Sequence, residues 1–154
     1  MKKTIIIDCA ILFFILTTVV FAKTYVVHEV DSVKNSSTIF WYNDLNDVSK
    51  SLQGNTTNET INNIMFYVQE NMNYKFYWHK QPLKQIWISM EGDCTDSSTL
   101  IKYMLKENNI KTYYVHGYCY VEEEKYKHDW LEYKGNTIDI HYCDKLVKHG
   151  RGIW

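Results

Sequence analysis

Between Asn58 and Tyr142 the spacing of apolar residues changes once, from a helical to an alternating period. That change sets the class of fold the chain can adopt. Ile61, Ile64, Met65, Val68 and Met72 follow the i, i+3, i+4, i+7 pattern of one buried helix face, and Thr57 or Asn58 can cap it. A second helix is predicted to start near Asp93, to bury Leu100, Ile101, Met104 and Leu105, and to end at Asn108 and Asn109. Then the period becomes two. Thr112 to Val121 reads as a strand, as do His128 to Tyr133 and Thr137 to Tyr142, the last two joined by a tight turn at Lys134, Gly135 and Asn136. Helices followed by an antiparallel meander imply an α+β domain, with N-terminal helices packed on one face of the sheet. Upstream, Leu45, Val48 and Leu52 have the spacing of a short helix, whereas Tyr74 to Trp87 reads as an irregular aromatic stretch.

The chain's 154 residues provide for one domain. Its 45% hydrophobic and 23% charged residues are ordinary for a globular protein with a core. A formal net charge of -1 gives no bulk attraction to nucleic acid or to an anionic membrane surface. The first residues have a different logic. Lys2 and Lys3 precede the apolar run Cys9 to Phe21, and Ala22 follows it, which is the layout of a secretory signal. The run is short for a spanning helix, and Asp8 interrupts its extension toward Ile5. Cleavage after Ala22 is favoured over a retained anchor, and either outcome leaves the domain outside the cell. The expected organisation is a signal peptide or membrane anchor over 1–22, an extension over 23–57 and the main domain over 58–154. Membrane contact is expected only through the N-terminal segment.

Export changes how the cysteines read. Cys9 belongs to the signal, so Cys94, Cys119 and Cys143 remain, an odd number that suggests one free thiol and one bridge. Cys119 and Cys143 both fall at strand ends and can pair, which leaves Cys94 free. A zinc site is the rival, but no two ligands have the close spacing usual in structural zinc sites. No metal and no cofactor is expected. The 13 tyrosines are read first as residue bias and core packing, and second as a surface for a polymer.

Three short segments carry chemistry. In Gly92-Asp93-Cys94-Thr95-Asp96 a cysteine opens a helix. A thiol reacts as the thiolate, and the unpaired N–H groups at a helix start favour an anion and can hold the oxyanion of a tetrahedral intermediate. Gly92 keeps the approach clear. Taken alone, such a cysteine is read first as a small buried hydrophobe. The second segment is Lys127-His128-Asp129-Trp130, and the third is Ile138-Asp139-Ile140, where an acid lies between branched residues in a strand that disfavours it. If the hairpin pivots between Lys134 and Gly135, His128 lies opposite His141 and shares a sheet face with Asp139, one diagonal step away. Asp139 then accepts the ring N–H of His128 while the other nitrogen faces Cys94. A shift of one residue would place the two side chains on opposite faces.

With those residues in view, the run from Ile61 to Tyr142 resembles the core of the transglutaminase-like superfamily, whose members share the papain-type cysteine protease arrangement. The matching pieces are residues 92–96, the helix through Leu100, Ile101 and Leu105, then Asn109-Ile110 with the strand Tyr114-Val115-His116-Gly117-Tyr118. His128 with Trp130 and then Asp139 complete the family order of cysteine, histidine and acid. The resemblance implies that Cys94 is the nucleophile, His128 the general base and acid, and Asp139 the orienting carboxylate, with Trp130 a packing or shielding residue. Two positions depart from the pattern. Asp129 replaces a small or apolar residue and adds a charge able to raise the pKa of His128; Asp139 lacks a following proline. Gln85, Trp78 and Trp87 are candidates for a side-chain oxyanion donor, though each is read first as a packing or surface residue.

The implied activity is attack of Cys94 on an amide carbonyl to form a thioester. With water as acceptor the enzyme is a cysteine peptidase or amidase, which is the preferred reading. With an amine it is a protein-glutamine gamma-glutamyltransferase-type acyl transferase. A reading from another class is a non-catalytic surface binding module that keeps the fold. The expected partner is a peptide or protein amide, with a cell-wall or surface polymer as one candidate.

Overall fold

The computed structural model describes residues 41–152. Four helices and six short or medium strands follow one another. Helix α1 covers residues 41–51 and α2 is Thr57–Asn71; β1 (Asn73–Tyr74) leads to α3 (Leu83–Ser89) and β2 (Glu91–Gly92). Then come α4 (Cys94–Glu107), β3 (Tyr113–Val121), β4 (Glu124–Tyr133), β5 (Asn136–Ile138) and β6 (Lys145–Gly152). The α+β class and the antiparallel sheet agree with the period change in the sequence. No helix among the described residues is long and apolar enough to cross a membrane. Residues 1–22, expected to be a signal or anchor, and the extension as far as residue 40 lie outside the described residues.

Helix α2 begins as its local chemistry requires, with one correction. Thr56 is the cap, rather than Thr57 or Asn58, and its hydroxyl accepts from the N–H of Glu59. Glu59 reaches back to the Asn55 N–H. The apolar stripe places Ile61, Ile64 and Val68 in the core. Helix α4 buries Leu100, Ile101, Met104 and Leu105 against the other helices and β4. Leu45 of α1 is fully buried in the same core, and Asn108 donates to the Ser49 carbonyl at 2.7 Å, so residues 41–51 are tied into the compact unit.

The four-stranded sheet has the order β5-β4-β3-β6 and is antiparallel throughout. The meander β3-β4-β5 was legible; β6, which returns to the free edge of β3, was not. Its sequence offers only Leu146 and Val147 among polar residues and glycines, too little for an alternating signal. Strand β4 starts at Glu124, earlier than expected, because Glu122 and Glu123 make a two-residue turn with positive φ at both positions. Strand β5 ends at Ile138 rather than Tyr142, since the chain bends away after its third residue. Helix α3 and the two-residue parallel pair β1-β2, in and around the aromatic stretch, are too short to show a period.

Two constraints pin the sheet. Cys119 and Cys143 form a disulfide, which fastens the segment after β5 to β3. Gly117, at the bulge in the β3–β6 ladder, has no room for a side chain. A Cβ there would meet the Val147 carbonyl oxygen and lie 2.6 Å from the Trp130 ring. Gly117→Ala should therefore destabilise the domain by about 1–3 kcal/mol, the usual cost of overpacking. Urea unfolding of the variant beside wild type would measure it, and an unchanged midpoint would refute the close approach.

Candidate active site

Asp93 precedes α4 in extended backbone, and its carboxylate accepts from the N–H groups of Thr95 (2.9 Å) and Asp96 (3.2 Å). Cys94 is the first helical residue, partly exposed. The cap thus takes up two of the helix-start donors and leaves the N–H of Cys94 itself outside its reach. Gly92 is required for a reason other than access. A Cβ there would lie 2.5 Å from Asp96 Cβ and from Met72 Cε, so glycine lets α2, β2 and α4 pack together.

His128 comes from the middle of β4. The pairings Tyr133–Asn136, Glu132–Thr137 and Leu131–Ile138 place the hairpin pivot between Lys134 and Gly135, whose φ values of 50° and 87° suit the turn. This is the register on which the pairing of His128 with Asp139 depended. Because the ladder ends at Ile138, Asp139 reaches across from the first residue past the strand. Its Oδ2 lies 2.7 Å from His128 Nε2, and both side chains are buried. The other carboxylate oxygen accepts the His141 N–H at 3.0 Å and lies 3.3 Å from His141 Nδ1. Trp130 is fully buried and stacks on the His128 ring with centroids 5.9 Å apart.

Burial disfavours a charged imidazole, yet the hydrogen bonds and charges of Asp139 and Cys94 outweigh it and raise His128 to about 9. The Cys94 thiol is thus within interaction range of the His128 ring, whose Nε2 is engaged by Asp139. Burial likewise pushes Asp139 up, but hydrogen bonds from His128 and His141 prevail and bring it to about 2. The structure therefore gathers Cys94, His128 and Asp139 in the order thiol, imidazole, carboxylate. The expected oxyanion donors are engaged with other groups or exposed, in keeping with the packing or surface role read first for each. Trp87 is packed on Tyr67 and its Nε1 donates to Asp44, Trp78 is 90% exposed, and Gln85 is exposed on α3.

Asp129 corrects an expectation. Its carboxylate contacts His116 Nδ1 at 2.5 Å, accepts from Thr95 Oγ1 at 2.6 Å and lies 3.4 Å from the Tyr114 hydroxyl. The groups that shift His128 are Asp139 and Cys94, while Asp129 ties β4 to β3 and to the start of α4. Asp96 is buried at the foot of α4, where it accepts the Gln81 N–H, and burial first of all raises its pKa.

Tyr74 was missed. Strand β1 pairs Tyr74 with Gly92, two residues before the thiol. Its phenol pKa is raised by partial burial, then by Cys94 and Asp93, and its ring meets His141 edge-on. The only signal in the sequence was membership of an aromatic stretch, and a two-residue strand leaves no pattern to find.

The transglutaminase-like superfamily model matches residues 43–143, more than half of the chain and all three of these residues. The chain belongs to the transglutaminase-like superfamily. No curated protein matches it significantly. Solved structures of the same fold include a candidate cysteine protease from Cytophaga hutchinsonii, 16% identical, with a TM-score of 0.56 over 71% of this chain and 42% of that one. A TGase is also 16% identical, with a TM-score of 0.52 over 73% of this chain and 33% of that one. This transglutaminase-like chain thus spans less than half the length of either neighbour. In this chain an aspartate caps the thiol-bearing helix, and a disulfide joins Cys143, four residues after Asp139, to Cys119.

Proposed function

We propose that the protein is an exported thiol enzyme that hydrolyses amide or peptide bonds through a thioester on Cys94. The observation that carries this reading is His128, hydrogen-bonded to Asp139 through Nε2 and interacting with the Cys94 thiol. In the acylation step His128 takes the thiol proton and the sulfur attacks the carbonyl carbon. The backbone N–H of Cys94, which is not among the donors the Asp93 carboxylate takes up, donates to the developing oxyanion. His128 then gives its proton to the departing amine, and the carbon–nitrogen bond breaks to leave the thioester. In the second half His128 takes a proton from water, hydroxide adds to the thioester carbon, and the Cys94–acyl bond breaks. The products are a carboxylate and the regenerated thiol. Asp139 fixes the ring orientation throughout and offsets the imidazolium charge.

Export is supported by the signal-like N-terminus and by the Cys119–Cys143 disulfide, a bond that persists in oxidising compartments. Peptides or proteins outside the cell, wall polymers included, are then the accessible amides.

The acceptor is tested by offering glutamine- and peptide-amide substrates in water with and without a primary amine, and weighing the products. Free acid as the main product in both is the expected result. Amine adducts as the main product would replace hydrolysis with acyl transfer. Absence of any product, together with Cys94 alkylation no faster than that of a free thiol, would make the domain a binding module.

A further inference from the structure

The proposed reaction uses two sides of His128 and leaves one neighbour without a role. The Sγ of Cys143, a carboxylate oxygen of Asp139 and a ring nitrogen of His128 all lie within 4.8 Å of one another. In the oxidised protein that sulfur is bonded to Cys119. A disulfide sulfur is a poor metal ligand, whereas a thiolate is a strong one. The two halves of the disulfide also differ in access: Cys119 is 5% exposed on β3, while Cys143 is partly exposed in the segment after β5. An incoming thiolate therefore meets the Cys143 sulfur first.

We infer that opening the Cys119–Cys143 disulfide creates a zinc site of Cys143, His128 and Asp139, and that zinc bound there disables the Cys94 centre. The reductant is a dithiol. Its first thiolate attacks the Cys143 sulfur, the Cys143–Cys119 bond breaks, and Cys119 leaves as a thiolate that takes up a proton. The second thiol, as its thiolate, attacks the mixed disulfide, so the dithiol becomes a disulfide and Cys143 is released as a thiolate. Two electrons pass from the dithiol to the protein's cysteines.

Thiolate, imidazole and carboxylate are the donor types that zinc takes, with a water completing a tetrahedron. Ligand atoms around such an ion lie about 3.3–3.8 Å apart, so a small inward movement of the freed Cys143 completes the set. The backbone is held for this in the absence of the disulfide. Asp144 N–H donates to the Tyr120 carbonyl at 2.8 Å, and the Asp144 carboxylate accepts the Glu122 N–H at 2.9 Å. These bonds keep the next residue after Cys143 beside β3. Zinc in this position replaces the hydrogen bond between His128 and Asp139, so the imidazole can no longer turn over protons. Asp139 and Cys143 stand only four residues apart, a close ligand spacing that the sequence reading passed over; His128 joins them through the hairpin.

The test is independent of the proposed activity, because it is made in a Cys94→Ser background. Adding Cys119→Ser or Cys143→Ser removes the same disulfide but leaves opposite thiols. Zinc affinity is measured anaerobically by competition with a chromogenic chelator, and cobalt(II) substitution reports sulfur ligation through its charge-transfer band. The Cys119→Ser protein should bind one zinc on the order of 100-fold more tightly than the Cys143→Ser protein, with the sulfur band only in the first. Phosphine reduction of the Cys94→Ser protein should bring the same gain and the same band, which supplies a second arm if one double variant folds poorly. Equal affinities in the two double variants, or no gain on reduction, would overturn the proposal.

Discussion

Alanine in place of Cys94 should lower kcat for peptide-amide hydrolysis by about 10⁴-fold or more, with little change in stability. Removing a covalent nucleophile costs on this scale because the two-step route disappears, and only positioning and oxyanion stabilisation remain. The residue lies at a helix start, partly exposed and outside the hydrophobic core, so its loss leaves no large cavity. Steady-state kinetics with the peptide amide, beside a urea melt, would test both halves. A variant that retained more than a few per cent of activity would remove Cys94 from the chemistry.

Asn in place of Asp139 should be nearly as damaging, lowering kcat by about 10³–10⁴-fold through a wrongly presented imidazole. Its second effect is on titration. Burial opposes the charged form of His128, and hydrogen bonding to Asp139 is the foremost of the influences that overcome it. Without the carboxylate, His128 should fall from about 9 toward or below its ordinary 6.5, as followed by NMR of the ring protons. The sign of the linked stability follows from the two groups. His128 is raised on folding, so its contribution is full below about 6.5 and is lost as pH rises through about 9. Asp139 is depressed, so its contribution is full above about 3.8 and is lost as pH falls through about 2. Wild type should exceed the Asp139→Asn protein in stability most clearly between about pH 4 and 6.5. A gap that stayed constant from pH 4 to 10 would refute the ion pair.

The same residue shows how far the sequence could be read. An acid between Ile138 and Ile140 called for an explanation, and a turn at Lys134 and Gly135 offered one through the alternation of side chains. The conclusion was correct even though the strand stops one residue short of the acid. Register depends on the turn, and the turn chemistry is local. By contrast, Asp129, next in sequence to His128, was expected only to be able to raise its pKa, and its carboxylate is engaged by His116, Thr95 and Tyr114. Adjacency along a strand is a poor guide to contact, since neighbouring side chains leave the backbone in opposite directions.

Tyr74 and Cys143 mark the other limit. Tyr74 reaches the thiol through a parallel pairing of two residues, and Cys143 reaches His128 through a loop held to β3. Neither arrangement has a period, so neither leaves a mark in one dimension. The switch from helical to alternating spacing determined, from the sequence alone, that this chain packs helices on an antiparallel sheet. The thiol at a helix start, the histidine and the acid were readable for the same reason: each is set by local rules of capping, alternation and turn. Which groups surround them was decided by the tertiary structure. The addition of β6, the closure of the disulfide and the approach of β1 to β2 are long-range events, and their energies come from contacts between segments that do not adjoin in the chain.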